Sequence, residues 1–169
     1  MKIRTLAPLA ALAALASAAS AQTNGPTGFS ARLGLFVATN DSSFSTGFAG
    51  GVDYKISSFG VRAPGEGLQS YLGVSADYYG DGGTSNIPVA LTYNVRSGAL
   101  VYSAGIGVDF YNIDKLNNGT GTSLGGQVGI AYEFGNAGRV DKPLFVAAKY
   151  FITRKSDLGG FGLYVGYRF

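Results

Sequence analysis

Beyond residue 27 the chain alternates apolar and polar positions with a period of two, in segments separated by short runs of Gly, Asn, Asp and Ser. Alternation of this kind gives a β-strand one apolar face and one polar face. No segment past the first twenty residues has the helical period. The pattern predicts eight strands. The first, about 28–39, puts Phe29, Ala31, Leu33, Leu35 and Val37 on one face. The second, 48–57, offers Phe48, Val52, Tyr54 and Ile56, and the third, 68–79, offers Leu68, Leu72, Val74, Ala76 and Tyr78. Ile87, Val89, Leu91, Tyr93 and Val95 define the fourth, 86–95. The fifth, 99–111, carries Leu100, Tyr102, Ala104, Ile106, Val108 and Phe110. Leu124, Val128, Ile130, Tyr132 and Phe134 define the sixth, 123–134. The seventh, 143–152, has Leu144, Val146, Ala148, Tyr150 and Ile152, and the eighth is 159–169.

Most of these segments are near the 9–11 residues that a tilted strand needs to cross a bilayer. The short Gly/Asn/Asp/Ser connections suit antiparallel hairpins. The expectation is therefore an all-β, eight-stranded antiparallel up-and-down barrel that spans a membrane. An even strand number returns both ends of the barrel to one side. That side takes the connections 58–67, 96–98 and 135–142, and the other takes 40–47, 80–85, 112–122 and 153–158. The two sets are similar in length, whereas membrane barrels usually have longer outer loops.

Alternation alone leaves open which face is outside, because a soluble lipocalin-like barrel turns its apolar face inward. Three features point to lipid outside. The charged residues within the strands, Arg32, Asp53, Lys55, Asp77, Asp109, Glu133, Lys149 and Arg168, all lie on the face opposite the apolar one. Four acids and four bases can pair across a narrow lumen, which spares them the cost of an unpaired buried charge. The rest of that face is small (Gly34, Gly51, Gly73, Ser75, Gly105, Gly107, Gly129, Gly162 and Gly166 among others), set beside Tyr71, Tyr79, Phe145 and Tyr164. This suits the crowded interior of an eight-stranded barrel. Aromatics on the apolar face gather near strand ends. Phe48, Tyr78, Phe110, Tyr150 and Phe161 mark one rim; Phe29, Tyr54, Tyr93, Tyr132, Phe134, Tyr167 and Phe169 mark the other. Two such bands are what a barrel needs at two membrane interfaces.

Composition agrees. Charged residues make up 14% of the chain, well below the ~25% of a soluble domain. The formal charge of +3 falls close to neutral once the N-terminal segment is set aside, so no nucleic-acid partner is implied. That segment reads as a signal peptide over residues 1–21. Lys2 and Arg4 precede the apolar run Leu6 to Ala16, and Ala19-Ser20-Ala21 places the cut before Gln22. Residues 22–27 form a short flexible lead-in, and 28–169 a single barrel domain. There is no cysteine, hence no disulfide framework and no lipoprotein anchor after the cut.

The last nine residues carry a resemblance. Phe161, Leu163, Val165, Tyr167 and Phe169 share one face of the closing strand. They resemble the C-terminal sorting signal of bacterial outer-membrane proteins, which ends in Phe with apolar residues at alternate positions before it. Together with the signal peptide, the size and the strand count, this makes the chain similar to the small eight-stranded outer-membrane barrels of the OmpX, OmpW and OmpA membrane-domain type. The long outer strands of OmpX and the peptidoglycan-binding domain of OmpA have no counterpart here. The resemblance implies the bacterial outer membrane as location, its lipid as surroundings, and the barrel-assembly machinery as a partner that reads the C-terminal strand.

Candidate chemistry is sparse. Outer-membrane hydrolases resemble one another in using a His beside Ser, Asp or Glu, and this chain has no histidine. A retained carboxylate pair of the glycosidase kind would have to come from Asp53, Asp77, Asp109 or Glu133, which alternate with bases and read better as structural ion pairs. Without Cys or His no zinc or copper site is built, and the regions around Asp81 and Asp114 do not match a calcium loop. Asn118-Gly119-Thr120 fits a glycosylation pattern, by chance in a chain of this type. No cofactor is expected. Two roles remain: a structural or surface-interaction barrel with a narrow polar lumen and an unidentified surface partner, or a narrow conduit for small solutes.

Overall fold

The computed structural model describes residues 28–39, 46–59, 68–80, 83–113, 119–134, 144–154 and 158–169. The segments 1–21 and 22–27, the positions Asp81, Asp114 and Asn118, and most of the expected connections lie outside the described residues. Eight strands run in chain order: β1 (Phe29–Ala38), β2 (Thr46–Phe59), β3 (Leu68–Gly80), β4 (Thr84–Ser97), β5 (Leu100–Ile113), β6 (Gly119–Glu133), β7 (Leu144–Thr153) and β8 (Gly160–Arg168). Each pairs antiparallel with the next, and β8 returns to β1, from Ser30 opposite Arg168 to Ala38 opposite Gly160. The all-β, eight-stranded antiparallel closed barrel expected from alternation is the observed fold. Closure leaves no edge strand and so no unpaired row of backbone donors and acceptors.

We call the end that holds Phe29 and Arg168 the near end and the opposite one the far end. The main departure in strand length is at the far end, where β6 begins at Gly119 rather than at 123 and β5 reaches Ile113. At the near end β4 continues through Arg96 to Ser97, leaving only Gly98 and Ala99 to turn the chain into β5. Gly98 has φ +60°, as the first central residue of the primed turns favoured in two-residue hairpins requires. The β3–β4 ladder keeps its register on both sides of a gap at Ile87 and Pro88. Pro88 has no N–H to donate, so the gap falls where the ladder loses a donor.

Outside, the barrel is apolar. Leu33, Leu35, Leu91, Leu163 and Val165 are exposed, and Ile106 and Leu124 are the most open at 77% and 70%. The aromatic rims flank this belt, with Tyr150 and Phe161 in contact at 4.6 Å between ring centroids on the far side. On the near side Phe169 packs on Tyr167 at 4.9 Å and on Phe29 at 5.8 Å. The arrangement inverts a soluble barrel, in which these side chains would form the core.

Inside, large side chains lie over glycines. The Tyr164 ring covers Gly162, and the Phe145 ring covers Gly166. Gly107 is tighter still: a Cβ there would run into the Val89 carbonyl and the backbone of Ala90 on β4. Replacing it must push β4 from β5, an overpacking cost of about 1–3 kcal/mol. Gly107→Ala should lower the urea midpoint of the micelle-embedded barrel accordingly, read by tyrosine fluorescence.

Candidate functional site

The lumen gathers nearly every polar side chain of the described residues that is shielded from solvent, and it is built in layers. Deep inside, Phe36 of β1 stacks on Tyr79 of β3, with centroids 4.0 Å apart and planes within 5° of parallel. Phe151 of β7 closes on both, at 6.1 Å from Phe36 and 5.0 Å from Tyr79. All three are at most 1% exposed. The Tyr79 hydroxyl donates to the Leu158 carbonyl (2.8 Å) and accepts from the Asn86 amide (2.7 Å), which fixes the ring across the barrel. These rings, with Leu158 and Tyr164, plug the far half of the lumen.

Directly beneath the plug lies an ion cluster. The Arg32 guanidinium faces the Tyr164 ring, 5.4 Å from its centroid, and pairs with Asp53 and Asp77. Lys149 Nζ reaches Asp77 at 3.0 Å and Asp53 at 3.6 Å. Ser75 sits at the centre: its Oγ donates to Asp77 Oδ2 (2.9 Å) and accepts from Lys149 Nζ (2.9 Å) and Arg32 Nη2 (3.1 Å). Arg32 Nε and Nη2 both donate to Asp77 Oδ1, so the carboxylate receives two bonds on each oxygen. That is the full acceptor capacity of a carboxylate. The sequence allows this cluster through Gly51, where a Cβ would collide with the Asp77 carboxylate and crowd Arg32 Nη2.

A second cluster lies nearer the mouth. Glu133 Oε1 accepts from Arg96 Nη2 (2.8 Å) and from Arg168 Nη1. Arg96 was not among the expected lumen residues, because the pattern ends the fourth strand at 95. The two-residue turn carries β4 further and aims Arg96 inward. Its signal in the sequence was parity, since Arg96 continues the even-numbered face of Ala90, Thr92 and Asn94.

The eight expected lumen charges thus do not form one network. Arg32, Asp53, Asp77 and Lys149 meet in the first cluster, and Glu133 and Arg168 in the second. Lys55 lies over the Tyr71 ring at 5.2 Å. Asp109 stands apart in the far half, buried opposite Ser123 and against Gly125. The reason is depth. β5 runs from the near end at Leu100, so its ninth following residue lies far from the acids and bases placed near the other rim. Of the sorting-signal residues, Phe161, Leu163, Val165 and Tyr167 point outward and are 45–62% exposed, while Phe169 is half-buried between rings.

Between the clusters and the near end is a cavity of about 510 Å³. Ser30, Arg32, Asp53, Lys55, Gln69, Tyr71, Asn94, Arg96, Phe145, Lys149 and Arg168 line it, and Gly28 and Gly98 stand at its mouth. Among the described residues no group of three or more acidic side chains could hold a metal ion.

No protein-family model matches the chain, and no curated protein does. Solved structures do. The Yersinia pestis outer membrane protein Ail, determined in a phospholipid bilayer nanodisc, is 14% identical with a TM-score of 0.51 over 86% of this chain and all of that one. The outer membrane enzyme PagL is 19% identical with a TM-score of 0.48, over 83% of this chain and 97% of that one. At these identities the likeness to Ail is one of fold.

Removing one partner from a buried ion pair costs about 3–5 kcal/mol, because the other charges stay buried and uncompensated. Asp77→Ala, which leaves Arg32 and Lys149 to share Asp53, should destabilise the barrel by about that amount in the same urea titration. A loss below 1 kcal/mol would mean that water reaches the cluster freely.

Proposed function

We propose that this chain is an integral β-barrel of the bacterial outer membrane, without catalytic activity, with a structural or surface-interaction role. The observation that carries this reading is the outward apolar belt between two aromatic rims, with the strand charges turned inward. Water-soluble barrels have the reverse arrangement, and a bilayer is the solvent that rewards this one. The signal peptide of residues 1–21, cut before Gln22, would deliver the chain across the inner membrane. Residues 22–27 would lead into the barrel, and the outward face of β8, ending at Phe169, would be read by the assembly machinery. On this reading the near end faces the periplasm and the far end the outside.

The lack of histidine supports a non-enzymatic role. So does the use of the lumen carboxylates: Asp53, Asp77 and Glu133 are all engaged by bases. A conduit is disfavoured by the plug of Phe36, Tyr79 and Phe151, which leaves side chains where a solute would pass. Homology within the eight-stranded type, whether to OmpX, OmpW or the OmpA membrane domain, stays at the level of resemblance.

Protein extracted from the outer-membrane fraction should migrate differently on a denaturing gel when unboiled and when boiled, as a closed, detergent-resistant barrel does. Release into the soluble periplasm without such a shift would overturn the reading. In planar bilayers the wild-type chain should show no stepwise conductance, whereas the double variant Phe36→Ala/Tyr79→Ala should open a path through the plug and conduct.

A further inference from the structure

We infer that the near-end cavity is a dead-end binding site for a small soluble dianion bearing phosphate or carboxylate groups. The inference rests on the closed-lumen reading above, since the plug is what makes the cavity a pocket rather than a passage. Three observations converge on it. The cavity, about 510 Å³, has room for a small organic molecule and is lined toward the near end by Gly28, Gln69 and Gly98.

Its charge balance is positive. Among the described residues five cations, Arg32, Lys55, Arg96, Lys149 and Arg168, line it. Asp53, Asp77 and Glu133 are the acids among the described residues that pair with them. The deep cluster is internally matched, two bases against two acids. The excess therefore lies toward the mouth, where Arg96 and Arg168 share a single oxygen of Glu133. Lys55 has a tyrosine face and no carboxylate partner among the described residues.

The donors at the mouth are also accessible. Arg96 and Arg168 keep 25% and 21% of their side chains exposed, against 1% for Arg32. Two guanidiniums held on one oxygen lie close together, with N–H groups left over to grip an anion in fork geometry. Gln69, Tyr71 and Asn94 line the same space and can donate to further oxygens. The lipid-facing surface is on the other side of the sheet, so the ligand must arrive from water and not from the bilayer.

The test uses the full mature chain refolded in zwitterionic detergent micelles, titrated calorimetrically with inorganic pyrophosphate at low salt, with glucose as a neutral control. Saturable one-to-one binding of pyrophosphate, weakened by added salt and absent for glucose, is expected. Lys55→Glu should weaken it about tenfold or more by reversing a charge at the mouth. Glu133→Gln should do the opposite and tighten it several-fold, because it frees both arginines while keeping the side-chain shape. A merely structural role for Glu133 would not produce a gain. Each variant is checked for its heat-dependent gel shift, so that loss of folding is separated from loss of binding. Absence of saturable binding, indifference to Lys55→Glu, or no gain in Glu133→Gln would each overturn the inference. Conductance tests the plug and calorimetry the pocket, so a leaky barrel and an empty pocket give different results.

Discussion

Everything in this barrel follows from the demand that each strand complete its backbone hydrogen bonds on a neighbouring strand. A strand cannot satisfy its own N–H and C=O groups, so β1 must find β8 as well as β2, and the sheet closes. Once closed, it has two faces with opposite duties. The outer face can be as apolar as the aliphatic belt of Leu35, Ile106, Leu124 and Leu163. The inner face then takes every residue that cannot stand in that belt, and eight strands leave little room for them.

That shortage of room explains the pairing of large with small. Phe145 lies over Gly166, Tyr164 over Gly162, and Asp77 with Arg32 over Gly51. Read from the sequence, the small inner residues beside Tyr71, Tyr79, Phe145 and Tyr164 suit a crowded interior, with space left over each glycine. In the structure the rings and charges of adjoining strands occupy much of that space. In the near half a cavity of about 510 Å³ remains, lined by side chains that are long, polar and partly exposed.

The electrostatics follow the same division. Deep in the lumen, Asp77 and Ser75 have every acceptor and donor used, and charge is matched two against two. Such a cluster holds four strands in register at the price of being intolerant to loss of any member. Near the mouth, matching is incomplete and the side chains are accessible. Among the described residues the deep cluster is balanced and cations are in excess toward the near end, an arrangement suited to receive an anion there.

The sequence by itself determined the strand number, the antiparallel order, the strand limits to within a few residues and the division of residues between the two faces. It could do so because a period of two is a local property of the chain, and a closed sheet with an apolar outer face and a polar inner face enforces it at every position. It also placed Tyr71, Tyr79, Phe145 and Tyr164 inward. Only the tertiary structure decided which inward residues meet. That depends on the stagger between neighbouring strands, which sets depth and leaves no mark on alternation. Stagger brought Arg32 and Lys149 to Asp77, drew Arg96 to Glu133, set Asp109 apart from both clusters in the far half, and gathered Phe36, Tyr79 and Phe151 into a plug. Alternation told each side chain which way to face, and strand register chose its neighbours.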